Sequence, residues 1–204
     1  KKFMEKEFNK FLLWLKGKKG NKKLRDIANH TKYLVIAGDI VDGIGIYPKQ
    51  LEGLKITDIY QQYNVAGKFL EQIPEHIEVL IIPGNHDASR KALPQPAIPK
   101  EYAEPLHDAR KIYSLGNPST VSLHGVELLV FHGRSLDDVA SVAPNVNFDS
   151  PDKSMKLLLK GRHLAPIYGE KTAIAPEKRD FMVIERTPDI FHSGHVHIVK
   201  CNKY

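Results

Sequence analysis

The sequence repeats one layout four times: an apolar segment of strand length runs into a glycine-bearing turn that carries a possible metal ligand. The four segments are VIAGDIVDG with Asp39, IIPGNHD with Asn85 and His86, LLVFHGR with His132, and FHSGHVH with His195 and His197. Where the strands of a sheet run in the same direction, their carboxyl ends lie along one edge, at which ligands commonly bind. We therefore expect residues that are far apart in sequence to converge at that edge.

The segments between these turns predict a mixture of helices and strands. Apolar residues at helical spacing predict a first helix that stops near Gly17, and a second helix is predicted around residues 57–71. The runs YLVIA and EVLIIP read as strands covered on both faces, TVSLHGVELLVFHG as two strands about the His124-Gly125 turn, and DFMVIE and DIFHSGHVHIVK as further β-segments. This order predicts an α/β or α+β layer fold built on a central sheet.

Composition excludes several classes of protein. With 204 residues, 42% apolar and 26% charged, the chain is long and mixed enough for one globular domain with its own core. No apolar stretch approaches the roughly 18 residues of a membrane span, so we expect neither anchor nor signal peptide, and a cytoplasmic location. The single cysteine excludes an internal disulfide, and the net charge of +6 favours an anionic partner.

The residue types at the four turns suit divalent metal ions. Imidazoles and an amide oxygen are neutral ligands, and a carboxylate can bridge two cations through its two oxygens. His195 and His197 are two residues apart, so on a strand they would point to the same face. Two metals held in this way can clamp a phosphate ester and make a nucleophile from water at neutral pH. An isolated GD or HG pair more often marks a turn or a helix cap, so the prediction depends on the four segments together.

The motifs GDIVD, GNHD, FHG and GHVH, in this order, resemble the signature of the calcineurin-like metallophosphoesterases. The resemblance implies a β-sandwich flanked by helices, with a dinuclear metal site at one edge. It implies that Asp39 bridges the metals, that Asn85, His132 and His195 complete one of them, and that His197 binds the other. His86 would contact the scissile phosphate and help the leaving oxygen depart, with Asp87 as its hydrogen-bonded orienter.

One element of that signature has no counterpart in the chain. The pattern normally begins with Asp-x-His at the end of a first strand, and nothing upstream of Asp39 matches it. We therefore expect residues 1–204 to form a single metallophosphoesterase domain that is truncated at both ends, without its first strand and its C-terminal continuation. The metal that His197 binds would then keep only Asp39 and His197, and activity of the fragment would be impaired.

Three longer segments are similar to the small subunits of archaeal family D DNA polymerases: HGRSLDDV, LLLKGRHLAPIYGEKTAIAPE and RTPDIFHSGHVH. The resemblance covers essentially the whole chain. It implies a 3′ to 5′ proofreading exonuclease with two divalent metals, manganese first and zinc, iron or nickel as alternatives. It also implies a heterodimer with a large catalytic subunit, DNA with a single-stranded 3′ end as substrate, and a sliding clamp as a further partner.

Two other functions stay open at this point. The chain could be a structural subunit that no longer uses its metals, or it could be another phosphoesterase, such as a phosphatase, a small-molecule phosphodiesterase or a double-strand-break repair nuclease. A proofreading enzyme needs contacts to the DNA backbone, for which Arg134, Arg162 and Lys18 are the candidates. For Arg134 a structural ion pair is an equal alternative, for Arg162 packing between loops, and for Lys18 a solvated loop. Tyr168 could stack on a base or lie in the core.

Overall fold

The computed structural model describes residues 3–204, and within that range the chain forms seven helices and six strands. The helices are α1 (Glu5–Leu15), α2 (Lys22–His30), α3 (Gln50–Gly53), α4 (Ile59–Leu70), α5 (Lys100–Ala109), α6 (Leu136–Val142) and α7 (Pro151–Gly161). The strands are β1 (Tyr33–Ala37), β2 (Glu78–Ile82), β3 (Ile112–Ser114), β4 (Ser119–Leu123), β5 (Val126–Phe131) and β6 (Ile190–Ser193). The predicted mixture of helices and strands is thus confirmed.

The strands form two sheets of three strands each rather than the single central sheet that the order of elements predicted. In the first sheet, β1, β2 and β3 are all parallel. In the second, β4 and β5 form an antiparallel hairpin, and β6 runs parallel to β5. The registers place Ala37 opposite Ile82 and Phe131 opposite Ser193, so the last residues of neighbouring parallel strands are level with each other.

Local sequence explains why several of these elements form as predicted. Helix α1 covers the predicted first helix, and Gly17 lies just beyond it with φ of +67°. Helix α4 begins after Asp58, whose carboxylate accepts a hydrogen bond from the amide of Gln61 at 2.7 Å. The β4–β5 hairpin turns on His124 and Gly125, both with positive φ, as the twist of a two-residue hairpin turn requires.

Two predicted β-segments are not strands over their predicted lengths. In DFMVIE, only Val183 pairs, in an isolated bridge with His163. The backbone there bonds instead to the chain that follows α7, through Leu164 N to Met182 O at 2.8 Å. In the last segment, only residues 190–193 pair with β5, because the chain turns away after Ser193.

The alternation of side chains along β2 and β5 builds three layers of core. Val79 and Ile81 of β2 pack against α1, α4 and α5, whereas Leu129 and Phe131 of β5 pack against α6 and α7. Ile82 belongs to a third cluster, which joins the two sheets and is made of Ala37, Ile82, Leu128 and Val130. Each sheet therefore shares one face with the other sheet and covers the opposite face with helices. In the described part of the chain, no helix is both long and apolar enough to cross a membrane.

We predict that Ile82→Ala lowers the free energy of unfolding by about 2–5 kcal/mol, because Ile82 is 1% exposed and fills the cluster between the sheets. Ile190→Ala is the matched control: Ile190 also lies in a strand but is 51% exposed, so its loss is expected to be below about 1 kcal/mol. Urea unfolding followed by circular dichroism measures both. Equal losses for the two variants would contradict the shared core.

Candidate metal centre

The carboxyl ends of β1, β2, β5 and β6 meet at one edge of the paired sheets and bring four of the predicted ligands together. Ligand atoms of Asp39, His132 and His195 all lie within 4.8 Å of one another. The side-chain oxygen of Asn85 is 3.0 Å from Nε2 of His132. These residues follow strands of both sheets. The side chains therefore converge as predicted, but at the adjoining edges of two sheets and not at the edge of one.

His132 lies at the centre of this group and is 1% exposed. Its Nδ1 donates a hydrogen bond to the carbonyl oxygen of Ala37 at 2.7 Å, since a carbonyl can only accept. Burial lowers the pKa of the His132 imidazole, which favours the neutral ring with a lone pair on Nε2. That lone pair faces Oδ1 of Asn85 at 3.0 Å and Oδ1 of Asp39 at 3.4 Å.

Three acceptor atoms that face one another repel unless a positive charge lies between them. A carboxylate, an amide oxygen and an imidazole nitrogen are a donor set that manganese, iron, zinc and nickel all accept. The side chains at these strand ends therefore fit a divalent cation, and the burial of His132 makes a permanent proton on Nε2 a poor substitute for one.

Two glycines allow the strand ends to approach so closely. Gly38 has φ of +87°, and a Cβ atom there would lie 2.6 Å from Nδ1 of His132. A Cβ atom on Gly84 would lie 2.6 Å from Cε1 of His132 and would also collide with the Asp39 carboxylate. Asp39 itself has φ of +54°, a conformation that a non-glycine residue adopts only when its surroundings fix it. The glycines of the GD and GNHD motifs are thus required by the site and not only by the turns.

A chain of buried amides, which sequence reasoning did not identify, fixes His132 relative to the GNHD turn. Asn117 accepts a hydrogen bond from the backbone amide of His132 at 2.9 Å and donates one to the side chain of Gln95 at 2.7 Å. Gln95 in turn donates to the carbonyl of Gly84 at 3.1 Å. Both side chains are almost fully buried. Neither lies at a strand-end turn of the predicted kind, so no motif pointed to them.

Asp137, in the first turn of α6, is a further residue that sequence reasoning missed. Its carboxylate is 3.2 Å from Nε2 of His195, which leaves Nδ1 of that ring as the nitrogen available to a cation. The hydrogen bond from His195 lowers the pKa of Asp137, and the nearby charges of Arg134 and Lys171 add to this. A carboxylate that holds the second nitrogen of a ligand histidine fixes the ring and raises its basicity. The only signal in the sequence is that Asp137 follows His132 by five residues within HGRSLDDV.

The prediction that His195 and His197 share one face of a strand is wrong. Strand β6 ends at Ser193, and both histidines have positive φ, 68° and 54°, so they lie in a turn. His195 joins the cluster, with its ring edge-on to that of His132 at 5.1 Å between centroids. His197 is exposed and is not part of the three-residue cluster.

The expected hydrogen-bonded pair of His86 and Asp87 is also corrected. The backbone amide of His86 donates to Oδ1 of Asp39 at 2.9 Å, which places the residue at the rim of the cluster. Its Nδ1 is held by the backbone carbonyl of Asp42 at 2.7 Å. Asp42 therefore takes the orienting role that the sequence suggested for Asp87.

Asp87 points into the protein and fixes the turn from inside. Its fully buried carboxylate accepts hydrogen bonds from the amide of Gly84 at 2.8 Å, the amide of Ile40 at 3.1 Å and the hydroxyl of Tyr63 at 3.2 Å. Burial raises the pKa of Asp87 to about 6 and raises that of Tyr63 as well. Asp87 thereby ties the turn after β1 to the turn after β2 and to α4.

The predicted DNA contacts have different surroundings. Arg134 is half-buried beside the cluster, whereas Lys18 is exposed in the loop between α1 and α2. Arg162 caps α7, and its guanidinium donates to the carbonyls of Ile184 and Glu185, which ties the end of the helix to that segment. A contact between Arg162 and DNA stays a prediction. Tyr168 is not a core residue, since it is 97% exposed.

Comparison with known proteins places this site in a family. The sequence model that describes the B subunits of DNA polymerases alpha and epsilon matches residues 4–198. The chain belongs to this family. It is 50% identical over 97% of its length to the DNA polymerase II small subunit of Archaeoglobus fulgidus, and 50% identical over 99% to that of Methanothermobacter thermautotrophicus. It is 46% identical over 97% of its length to the DNA polymerase II small subunit of Pyrococcus furiosus.

These matches confirm the similarity to archaeal DNA polymerase small subunits that the sequence motifs suggested. The chain spans less than half of each relative: 40% of the Archaeoglobus protein, 42% of the Methanothermobacter protein and 32% of the Pyrococcus protein.

We predict that Gly84→Ala weakens binding of Mn²⁺ at least tenfold, because the added methyl group would displace Asp39 and His132 from each other. Gly53→Ala is the control, since a Cβ atom there has no atom within 4 Å. Isothermal titration of each variant with Mn²⁺ measures the affinity. Unchanged affinity in Gly84→Ala would contradict the assignment of ligands.

We predict that Asp137→Asn weakens Mn²⁺ binding by about 10- to 100-fold, because the ring of His195 loses its charged partner. Asp152→Asn is the control. It changes a carboxylate in the first turn of α7 that accepts a hydrogen bond from Asn202, and it should leave the affinity for Mn²⁺ unchanged. The same titration compares the two. If both variants bind Mn²⁺ like the unmodified protein, Asp137 does not position a ligand.

Proposed function

We propose that this chain carries the active site of a metal-dependent 3′ to 5′ exonuclease, of the calcineurin-like metallophosphoesterase type, within the small subunit of an archaeal replicative DNA polymerase. The observation that carries the proposal is the convergence of Asp39, Asn85, His132 and His195 at the strand ends, with His86 at the rim. The packing of two sheets with helices on their outer faces supports the proposal, because the resemblance implies a β-sandwich flanked by helices.

The residues present fit a metal cofactor. Asp39, Asn85, His132 and His195 would hold one divalent cation. The resemblance implies that Asp39 with His197 would contribute to a second. Bound there, a pair of cations with manganese as first choice would supply Lewis acidity toward the phosphate and a nucleophile from water at neutral pH. Asp137 fixes the ring of His195, and Asn117 fixes the backbone of His132, so the ligands are oriented in advance.

His86 is placed to act on the leaving group. Its Nδ1 donates to the carbonyl of Asp42, so Nε2 is the nitrogen that can hold a proton for the oxygen that departs. In removal of the last nucleotide, that oxygen is the 3′ oxygen of the preceding residue in the strand. The backbone amide of His86 donates a hydrogen bond to the carboxylate of Asp39, which keeps His86 next to the proposed ligands.

The relatives are named small subunits of a DNA polymerase, which supports a large catalytic subunit as a partner. We propose that the protein forms a heterodimer with a large catalytic subunit, acts on DNA with a single-stranded 3′ end, and works beside a sliding clamp. The net charge of +6 favours the phosphate backbone as a ligand. Arg134 is the first candidate for a contact to the DNA backbone, because it follows His132 by two residues and its charge acts on Asp137. Lys18, exposed in the loop between α1 and α2, is a second.

A structural subunit without nuclease activity is the second candidate. One observation favours it: His197, which the second cation would need, is exposed and lies outside the three-residue cluster. A subunit of this kind would keep the fold and its contacts to a catalytic partner while cleaving nothing.

We predict that the full-length protein shortens a 5′-labelled single-stranded oligonucleotide stepwise from its 3′ end when Mn²⁺ is present. His86→Ala should slow this cleavage by about 100-fold or more, because the acid that assists the leaving oxygen is lost. Its Mn²⁺ affinity should stay within a few-fold, since His86 is not one of the proposed ligands. His107→Ala, an exposed histidine at the end of α5, is the control and should cleave normally.

His132→Ala should lose both cleavage and Mn²⁺ binding, whereas His86→Ala should lose cleavage alone. This difference distinguishes a metal ligand from a general acid. If the unmodified full-length protein shows no metal-dependent cleavage although it binds Mn²⁺, the exonuclease proposal is wrong and the structural subunit is favoured.

A further inference from the structure

Tyr168 is an aromatic side chain that the fold leaves almost entirely in water. It is 97% exposed and lies in the loop that follows α7. The next residue, Gly169, has φ of +84°, which turns the chain sharply behind it. A large side chain held out in this way gains nothing for the core, so its contacts must come from another molecule or not at all.

The loop that carries Tyr168 is anchored at both ends to the start of α6. On one side, the hydroxyl of Ser135 donates to the carbonyl of Leu164. On the other, the buried carboxylate of Asp138 accepts hydrogen bonds from the amides of Lys171 at 3.1 Å and Thr172 at 3.2 Å. Lys171 is three positions after Tyr168, so their Cα atoms are at most about 11 Å apart. The loop is therefore tied to the metal cluster through α6.

The link to the cluster is short. Asp138 is the chain neighbour of Asp137, whose carboxylate holds the ring of His195 at 3.2 Å. Hydrogen bonds thus join the loop that carries Tyr168 to the first turn of α6, which also holds His195.

A second exposed tyrosine lies in the loop whose Asp42 carbonyl holds the ring of His86. Tyr47 is 54% exposed in the loop between β1 and α3. The buried side chain of Gln50 closes this loop, donating to the carbonyl of Asp42 at 2.8 Å and accepting from the amide of Ile46 at 2.8 Å. The same carbonyl of Asp42 accepts the hydrogen bond from His86, so this loop is tied to the other end of the site.

We propose that Tyr168 and Tyr47 are stacking platforms for unpaired bases of a single-stranded nucleic acid whose end lies at the metal cluster. The proposal rests on the proposed nuclease function and names the residues that would hold its substrate. Tyrosine offers a large rigid face with few rotatable bonds, and a base stacked on it adds affinity without regard to sequence.

Charge favours a nucleic acid over a protein segment as the occupant. Lys171 follows Tyr168 by three residues and Lys49 follows Tyr47 by two, and both lysines are exposed. Each platform thus pairs an aromatic face for a base with a cation for the phosphate beside it, on a chain with net charge +6.

The test measures binding of a fluorescein-labelled twelve-nucleotide thymidine oligonucleotide to the full-length protein by fluorescence anisotropy, in EDTA so that cleavage cannot contribute. Tyr168→Ala and Tyr47→Ala should each raise the Kd roughly 5- to 100-fold, the effect of losing one stacked base. The Phe variant at each position should stay within about threefold, because the ring face is kept. Tyr60→Ala, which removes a 47% exposed tyrosine of α4, should bind like the unmodified protein.

A matching oligonucleotide with abasic sites in its last six positions separates stacking from charge. The Ala variants and the unmodified protein should bind this probe equally, since no base is left to stack. The proposal is overturned if the Ala variants bind the thymidine probe like the unmodified protein, if they lose as much affinity for the abasic probe, or if the unmodified protein does not bind the thymidine probe.

Failure of this inference is distinguishable from failure of the proposed function. Base-dependent losses in the Ala variants support the stacking platforms even where the protein cleaves nothing with Mn²⁺. Normal cleavage together with unchanged binding in both Ala variants overturns the platforms and leaves the nuclease standing.

Discussion

The hydrogen bond from the His132 imidazole to the carbonyl of Ala37 joins the two sheets at the point where their strands end. Because Nδ1 donates this hydrogen bond, it carries the proton of the neutral ring, and the lone pair on Nε2 faces Asn85 and Asp39. Because the ring is buried and favoured in its neutral form, His132 does not itself supply a positive charge to the oxygens around it. The proposed cation site is thus a consequence of how the sheets are joined, and the close packing of Gly38 and Gly84 is what makes the joint possible.

The surroundings of this joint are held by bonds that reach into each helical layer. Asp87 ties the β1 and β2 turns to Tyr63 of α4, and Asp137 ties His195 to α6. These hydrogen-bonded carboxylates orient the residues that would contact a ligand before any ligand arrives. The same first turn of α6 also fixes the loop of Tyr168, which connects the proposed ligand set to a proposed surface for the substrate.

Local features of the sequence predicted much of this arrangement. The strand-end turns at Asp39, Asn85 and His132 follow runs of apolar residues, and both the strands and their convergence are present as predicted. What failed depends on long-range geometry. Hydrophobic runs do not say whether strands share one sheet or two, and period-two spacing says nothing about His195 and His197 once the chain leaves β6. The bond of His86 to Asp42 goes to a backbone carbonyl, which no pattern of side chains records.

The most direct test of the central claim is an anomalous diffraction measurement on crystals of the protein soaked with Mn²⁺. The account predicts a manganese peak at the strand ends, about 2.0–2.3 Å from a carboxylate oxygen of Asp39, Oδ1 of Asn85, Nε2 of His132 and a ring nitrogen of His195. A crystal that shows no peak there, or shows manganese bound elsewhere while Nε2 of His132 stays within hydrogen-bond distance of Asn85, would contradict it.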